Sequence, residues 1–321
     1  MKTINVALLG FGTVGRGAYD VLNSDSRVIE KNYGLKVKVK KILEINENAI
    51  KASGLPKKLF TGDYNEILKD DSIAIVAEMM GGLEPAHTFM MQALKAGKSV
   101  VSSNKAAIAA FLPELKKTAK KNNVMLNYEA SVCGAIPVLT SIKDNLLVNE
   151  FVEIRGIVNG TSNFILTQMA ENNMEYAAAL KLAQDLGFAE KDPTADVEGI
   201  DSANKICILA DLAMDHYEAP MEIKRKGITK LSMADLEDAK KKGCKIKLIA
   251  KAVATDKGVK LSVKPELVDE YDYLYDVDYE FNGISLKTKY ADEIFLSGRG
   301  AGSLPTGSAI AGDILNIATR L

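Results

Sequence analysis

Histidine is nearly missing from this chain: His87 and His216 are the only two in 321 residues. A Ser-His-Asp hydrolase would have to recruit one of them, yet His87 follows a Glu-Pro helix start and His216 falls at a helix end. Both read as surface or packing residues, which leaves lysine and carboxylates as the agents of proton transfer near neutral pH. Cysteine is scarce as well. Cys133, Cys207 and Cys244 are odd in number, widely spaced and form no C-x-x-C pair, against both a disulfide framework and a cysteine-based zinc site. No apolar run reaches the roughly 18 residues of a membrane span. Met1-Lys2-Thr3 leads straight into an apolar strand ending in glycines, not into a cleavage site, so the cytoplasm is the expected compartment. An excess of one charge is also absent, the net value being −1. The basic stretches Lys36 to Lys41 and Lys240 to Lys247 are interleaved with apolar residues and read as solvated faces, so no nucleic-acid partner is expected.

What remains is the composition of a folded globular protein, 47% hydrophobic and 26% charged, with length for two ordinary domains. The first of these announces itself at once. Ile4 to Leu9 is a short apolar run of the buried parallel-strand type, and it enters Gly10-Phe11-Gly12-Thr13-Val14-Gly15 and then a helical pattern through Leu22. In this strand-to-helix setting G-x-G-x-x-G is a dinucleotide fingerprint. The first glycine permits the turn, the second lets the backbone approach a pyrophosphate, the third allows helix-on-strand packing, and the helix N-terminus supplies amide donors. A second strand, Val37 to Leu43, ends at Glu44. An acidic residue there would bond the adenosine ribose and repel a 2′-phosphate, favouring NAD; Lys40 and Lys41 beside it could instead serve NADP, and a plain strand-end charge is the other reading of Glu44. Further αβ units follow: a helix Tyr64 to Leu68, strands Ile73 to Met80 and Ser99 to Ser102, a helix Glu84 to Leu94, another through Lys120, and a strand Val124 to Tyr128. Ser103 and Lys105 lie just past a strand's carboxyl end, where open parallel sheets bind ligands. A cation at a helix start is mildly unfavourable, which favours a functional reading of Lys105 over an idle surface lysine.

After Glu129 the pattern changes. A glycine-containing turn leads to a helix Val138 to Leu146, and a strand Phe151 to Val158 ends in the polar loop Asn159 to Asn163 before a helix Phe164 to Glu171. Thr161 or Ser162 is the expected cap of that helix, and capping is the simplest account of the loop. The densest polar cluster runs from Gly187 to Asp201, followed by a helix Ser202 to Met214 that is almost wholly apolar yet contains Lys205. Such a helix should be buried. Asp201 and Lys205 are four apart and share a face one turn apart, an arrangement suited to an acid/base lysine, while the preceding acidic loop offers carboxylates to a substrate ammonium group. Strands Lys245 to Ala254 and Val259 to Pro265, with alternating polarity from Glu266 to Leu286, suggest a one-sided sheet able to support a dimer interface. The glycine-rich stretch Leu296 to Thr306 opens a last helix, Gly307 to Thr319, able to return to the first domain.

Together these segments resemble homoserine dehydrogenase over nearly the whole chain. GFGTVG, SSNKAAIA, YEASVCGAIP, GIVNGTSNFIL, GFAEKDPTADVEGIDSANKICILA, GITKLS and GRGAGSLPTGSAIAGDI carry the likeness, Gly187 to Ala210 most specifically. The resemblance implies hydride transfer between a nicotinamide cofactor and the homoserine–aspartate semialdehyde pair. Lys205 would be the proton donor oriented by Asp201, and Lys105 a second active-site lysine. Glu190, Asp196, Gly160 and Thr161 would hold the substrate. Gly187, Glu190, Ser103, Lys105 and Gly302 would join Gly10 to Gly15 and Glu44 at the cofactor. Glu129, with the carbonyls of Val132, Gly134 and Ile136, matches a monovalent cation site for Na or K. Family members often carry an arginine where Glu44 aligns, and many have a C-terminal ACT domain where this chain stops at Leu321, so threonine feedback through such a domain is not expected. The expected architecture is α/β: a Rossmann-type doubly wound parallel sheet over residues 1–130, joined by the C-terminal helix 305–321, plus an α+β catalytic and dimerisation domain over 131–304, in a homodimer. A dehydrogenase of another amino-acid semialdehyde and a cofactor-sensing module without turnover are the alternatives.

Overall fold

Apolar strands separated by helices make a parallel sheet only if helices cover both faces, and the first sheet meets that condition. The computed structural model describes residues 2–24 and 26–321, so Met1 of the N-terminal reading lies outside the described residues. Strands β1 (Lys2–Leu9), β2 (Leu35–Leu43), β3 (Phe60–Thr61), β4 (Ile73–Glu78), β5 (Ser99–Ser102) and β6 (Leu126–Asn127) form one sheet in the order β3-β2-β1-β4-β5-β6, every neighbouring pair parallel. This is the order of a doubly wound dinucleotide-binding sheet, which reverses direction between β1 and β4. Val6, Leu8, Ile75, Ala77 and Val101 point into one buried cluster, while the alternate residues Ala7, Leu9, Val76 and Val100 are buried as well. The cluster is completed by the helix Thr13–Ser24 and by the last helix, Ser303–Ala318, through Ala18, Leu22, Ile310, Ile314 and Ile317. These two helices touch backbone to backbone: a Cβ on Gly17 would collide with the Ser303 carbonyl, and one on Gly307 with the Gly17 main chain.

The second sheet joins β7 (Phe151–Ile157), β8 (Lys224–Arg225), β9 (Cys244–Thr255), β10 (Gly258–Asp269), β11 (Phe281–Thr288) and β12 (Glu293–Arg299) in the order β12-β11-β7-β9-β10-β8. All its pairs are antiparallel except that between β10 and β8. Pro265 sits in β10 beyond the stretch that β8 covers, on an edge that requires no amide donor. The helices Gly160–Asn172 and Ile200–Met214 pack against β9.

Several elements differ from the sequence expectation. The helix Gly160–Asn172 starts four residues before Phe164, because Asn159 and not Thr161 or Ser162 is its cap: extended at φ −131°, ψ 113°, it accepts the Ser162 amide through its side chain. Asp201 lies inside the first turn of its helix, not before it. Leu296 to Arg299 belong to β12, a strand hidden in the sequence by its glycines, and the last helix begins at Ser303. Lys247 departs from the solvated reading of its basic stretch. It is 2% exposed, donating to the Val277 carbonyl at 2.6 Å and to Asp278 Oδ1 at 2.7 Å.

The described residues fall into two compact units, one running to Ala135 and including Ala301–Leu321, the other Ile136–Gly300. None of their helices is long and apolar enough to cross a membrane.

Candidate active site

In the first unit the glycine loop forms one wall of a cavity of about 450 Å³. Gly10 turns the chain at φ +90°, a left-handed conformation that glycine adopts without strain, and a Cβ there would press on the Met79 main chain. A Cβ on Gly15 would strike the Gly10 carbonyl, whereas one on Gly12 would meet nothing within 4 Å. The third glycine therefore serves packing, and the second faces open space where a ligand backbone can approach. Thr13, Val14 and Gly15 form the first turn of their helix, and the Thr13 carbonyl accepts the Ser303 hydroxyl at 2.8 Å.

Glu44 lines the same cavity. Its Oε2 accepts the Phe11 amide at 2.9 Å, and Oε1 accepts the amides of Ile45 at 2.9 Å and Asn46 at 2.8 Å. The carboxylate thus ties the end of β2 to the glycine loop. Lys40 and Lys41, the alternative partners for a phosphate, are committed elsewhere, to Asp70 at 2.6 Å and Glu66 at 3.0 Å. Met79 and Met80, just past β4, line the cavity as well. Ser103 donates its amide to the Glu78 carbonyl at 3.2 Å. Lys105 is exposed at the first position of the helix Lys105–Lys121, whose cap Asn104 accepts the Ala107 amide. Gly302 is the residue before the last helix.

In the second unit the acidic loop and the apolar helix meet. Lys205 Nζ donates to Asp201 Oδ2 at 2.7 Å and to the Val158 carbonyl at 2.6 Å, with Lys205 7% and Asp201 3% exposed. The lysine's third hydrogen has no acceptor among the described residues. Asn159 joins the group: its side-chain nitrogen donates to Asp201 Oδ2 at 2.8 Å and to Asp196 Oδ1 at 2.7 Å. Sequence reading assigned Asn159 to a polar loop and gave it no role. Its signal was an asparagine ahead of a helix, but the carboxylates it holds are 37 and 42 positions away. Gly160 is seated against the Glu280 carbonyl, where a Cβ would come within 2.6 Å. Thr161 donates its hydroxyl to the Phe188 carbonyl at 2.6 Å, tying the helix to the loop that carries Gly187 and the exposed Glu190. The geometry therefore gathers Lys205, Asp201 and Asp196 around Asn159, with Thr161 anchoring the neighbouring loop. A separate cavity of about 640 Å³ in this unit lies by Glu198, Arg225 and Lys226, and neither Lys205 nor Asp201 lines it.

Among the described residues, no three His, Cys, Asp or Glu side chains gather as metal donors. The expected cation site draws instead on one carboxylate and three main-chain carbonyls. Glu129 is buried in a 3-10 turn, with its amide donating to Asp313 Oδ2 at 2.8 Å. Val132 follows that turn, and the chain then passes through left-handed Cys133 and Gly134. The Ile136 carbonyl accepts the Val138 amide at 2.8 Å.

Comparison with known proteins bears on both units. Residues 10–129 match the family description "Homoserine dehydrogenase, NAD binding domain", and residues 137–315 match "Homoserine dehydrogenase". The homoserine dehydrogenase of Bacillus subtilis is 36% identical over 317 residues, 99% of this chain and 73% of that one. The crystal structure of a homoserine dehydrogenase from Thiobacillus denitrificans superposes with a TM-score of 0.96 at 37% identity, covering 100% of this chain and 74% of that one. A hyperthermophilic archaeal homoserine dehydrogenase solved with NADPH gives a TM-score of 0.84 at 28% identity, covering 100% and 99%. The Rossmann unit is accordingly a nicotinamide-cofactor domain, and the chain belongs to the homoserine dehydrogenase family, oxidoreductases of amino-acid biosynthesis.

Proposed function

We propose that this chain interconverts L-homoserine and L-aspartate 4-semialdehyde with Lys205 as the proton carrier and NAD as the preferred cofactor. The observation that carries the reading is the buried Lys205–Asp201 pair, with one ammonium hydrogen left for a substrate oxygen. The nicotinamide supplies or removes the hydride at the carbon. In reduction Lys205 gives its proton to the carbonyl oxygen as alkoxide charge develops, and in oxidation the neutral amine takes the hydroxyl proton. Asp201 and the Val158 carbonyl fix the direction of the ammonium group, so that little reorganisation accompanies transfer. Glu190 and Asp196, with Gly160 and Thr161, hold the amino acid. Lys105 is a second lysine polarising the substrate, and Ser103, Gly187 and Gly302 contribute to the cofactor site.

Three backbone amides held by Glu44 support NAD: a fixed negative charge on the cavity wall disfavours a 2′-phosphate. A monovalent cation, Na or K, belongs with Glu129, Val132, Gly134 and Ile136. A homodimer is supported by aromatic side chains left in the open on the second unit, Tyr271 at 88% and Tyr273 at 57% exposure. Cysteines that form no disulfide among the described residues suit a reducing cytoplasm.

The test follows the absorbance of reduced cofactor when homoserine is mixed with NAD or NADP, for the natural chain and for Lys205→Ala. Reduction by the natural chain and its loss in the variant are the expected pair. A folded natural chain that binds both cofactors and reduces neither would overturn the assignment.

A further inference from the structure

One buried carboxylate has no part in the reading above. Glu78 is the last residue of β4, 0% exposed, and none of the described lysines or arginines pairs with it. Its Oε2 accepts the Ser102 hydroxyl at 2.7 Å, and Oε1 accepts the Met80 amide at 2.8 Å and the Asn104 side-chain nitrogen at 3.3 Å. The strand register makes this meeting possible, since Glu78 lies opposite Ser102 across β4 and β5. From these groups the bonds run outward. Ser102 Oγ accepts the Asn104 amide at 3.0 Å, the Asn104 side chain donates to the Gly82 carbonyl at 2.7 Å, and its oxygen caps the helix that begins with Lys105. All of these residues lie at or just past the carboxyl ends of β4 and β5, the side on which an open parallel sheet receives its ligand.

We propose that Glu78 is a positioning residue for the reaction, its carboxylate locking the loops after β4 and β5 together so that Lys105 and the Met79–Met80 wall of the cavity keep their places. The inference rests on the catalytic reading of Lys105 given above. Burial raises the Glu78 carboxyl above its ordinary value, and the hydroxyl and amide donors only partly offset this. A buried charge with no counter-ion is costly to the fold. A stability role alone would be better served by a neutral side chain, whereas a carboxylate can accept from two loops at once.

The experiment compares Glu78→Gln, Ser102→Ala and Lys105→Ala with the natural chain, measuring kcat, the KM for homoserine and thermal unfolding at neutral pH. A near-isosteric amide removes the buried charge but cannot accept all the same donors. The expected result for Glu78→Gln is unfolding at or above the natural temperature, with kcat lowered about tenfold to a hundredfold and KM little changed. Ser102→Ala should lower kcat in the same direction, and it decides the matter alone if Glu78→Gln does not fold. Natural kcat in a folded Glu78→Gln chain, or a kcat loss only in step with lost stability, overturns the proposal while Lys105→Ala remains slow. Natural kcat in Lys105→Ala overturns both this inference and the catalytic reading of Lys105.

Discussion

Asn159 donates its side-chain amide to Asp201 Oδ2 at 2.8 Å while its own oxygen caps the helix Gly160–Asn172. The cap and the site are therefore one residue. Aspartate caps helices as well as asparagine does, so Asn159→Asp keeps the capping oxygen and deletes the two donors. It should also set a third carboxylate against Asp196 and Asp201. We expect kcat to fall by about a hundredfold while far-ultraviolet circular dichroism stays natural. A chain with full activity would reduce Asn159 to a cap.

Glu44 offers a test of cofactor choice. Replacing it by serine removes the charge from the cavity wall. The ratio of kcat/KM with NADP to that with NAD should rise about tenfold or more, equivalent to about 1.4 kcal/mol. An unchanged ratio in a folded chain would show that the carboxylate only ties β2 to the glycine loop.

The buried Lys247 pairs with the half-buried Asp278, far along the chain from the candidate catalytic residues. Burial lowers the lysine and pushes the aspartate up, but the hydrogen bonds of Lys245 and Lys247 win and leave Asp278 below its ordinary 3.8. Removing one partner strands the other, so Asp278→Asn should cost about 3–5 kcal/mol in urea unfolding. A group with a depressed carboxyl stabilises the fold above its unfolded value and loses that contribution as pH falls through the folded one. The natural chain should accordingly lose the Asp278 contribution only below pH 3.8, and the variant should lack this part of the acid transition.

The carboxyl of Glu78 behaves oppositely. Its folded value is raised, so its contribution to stability is complete below the ordinary 4.5 and disappears as pH rises through the folded value. Thermal unfolding of Glu78→Gln relative to the natural chain should therefore gain as pH climbs from 4.5 and then level off. A difference that does not vary with pH would mean the buried group titrates as it does in the unfolded chain.

Close packing at Gly17 and Gly307 admits no side chain. Either Gly→Ala change should destabilise the first unit by about 1–3 kcal/mol, read as a lower unfolding temperature that saturating cofactor partly restores. Unchanged stability would mean the two helices can separate without cost.

Local pattern made much of this legible. Short apolar runs located β1, β4 and β5, the Gly10 to Gly15 spacing placed the turn from β1 into its helix, and the four-residue interval between Asp201 and Lys205 placed a pair on a buried helix face. What pattern could not reveal depends on partners distant in sequence. Lys247 looked solvated because the carboxylate that accompanies it is 31 positions on, and Glu78 passed as one more residue of the strand Ile73 to Met80 because Ser102 and Asn104 come 24 and 26 residues later. β12 was missed because Gly298 and Gly300 resemble a loop in sequence, yet register with β11 makes Gly298 part of a strand.

The last helix, Ser303–Ala318, completes the first unit although all of Ile136–Gly300 is synthesised before it. Closing so long a loop costs little at equilibrium, since its entropy grows only logarithmically. The order of events on the ribosome is another matter. The second unit can fold as soon as it emerges, while the nucleotide sheet waits with Val6, Leu8, Ala18 and Leu22 lacking the side chains of Ile310, Ile314 and Ile317. A nascent chain arrested before residue 303 would carry Lys205 and Asp201 on a finished scaffold beside an unfinished, adhesive one, the state in which chaperones would meet it.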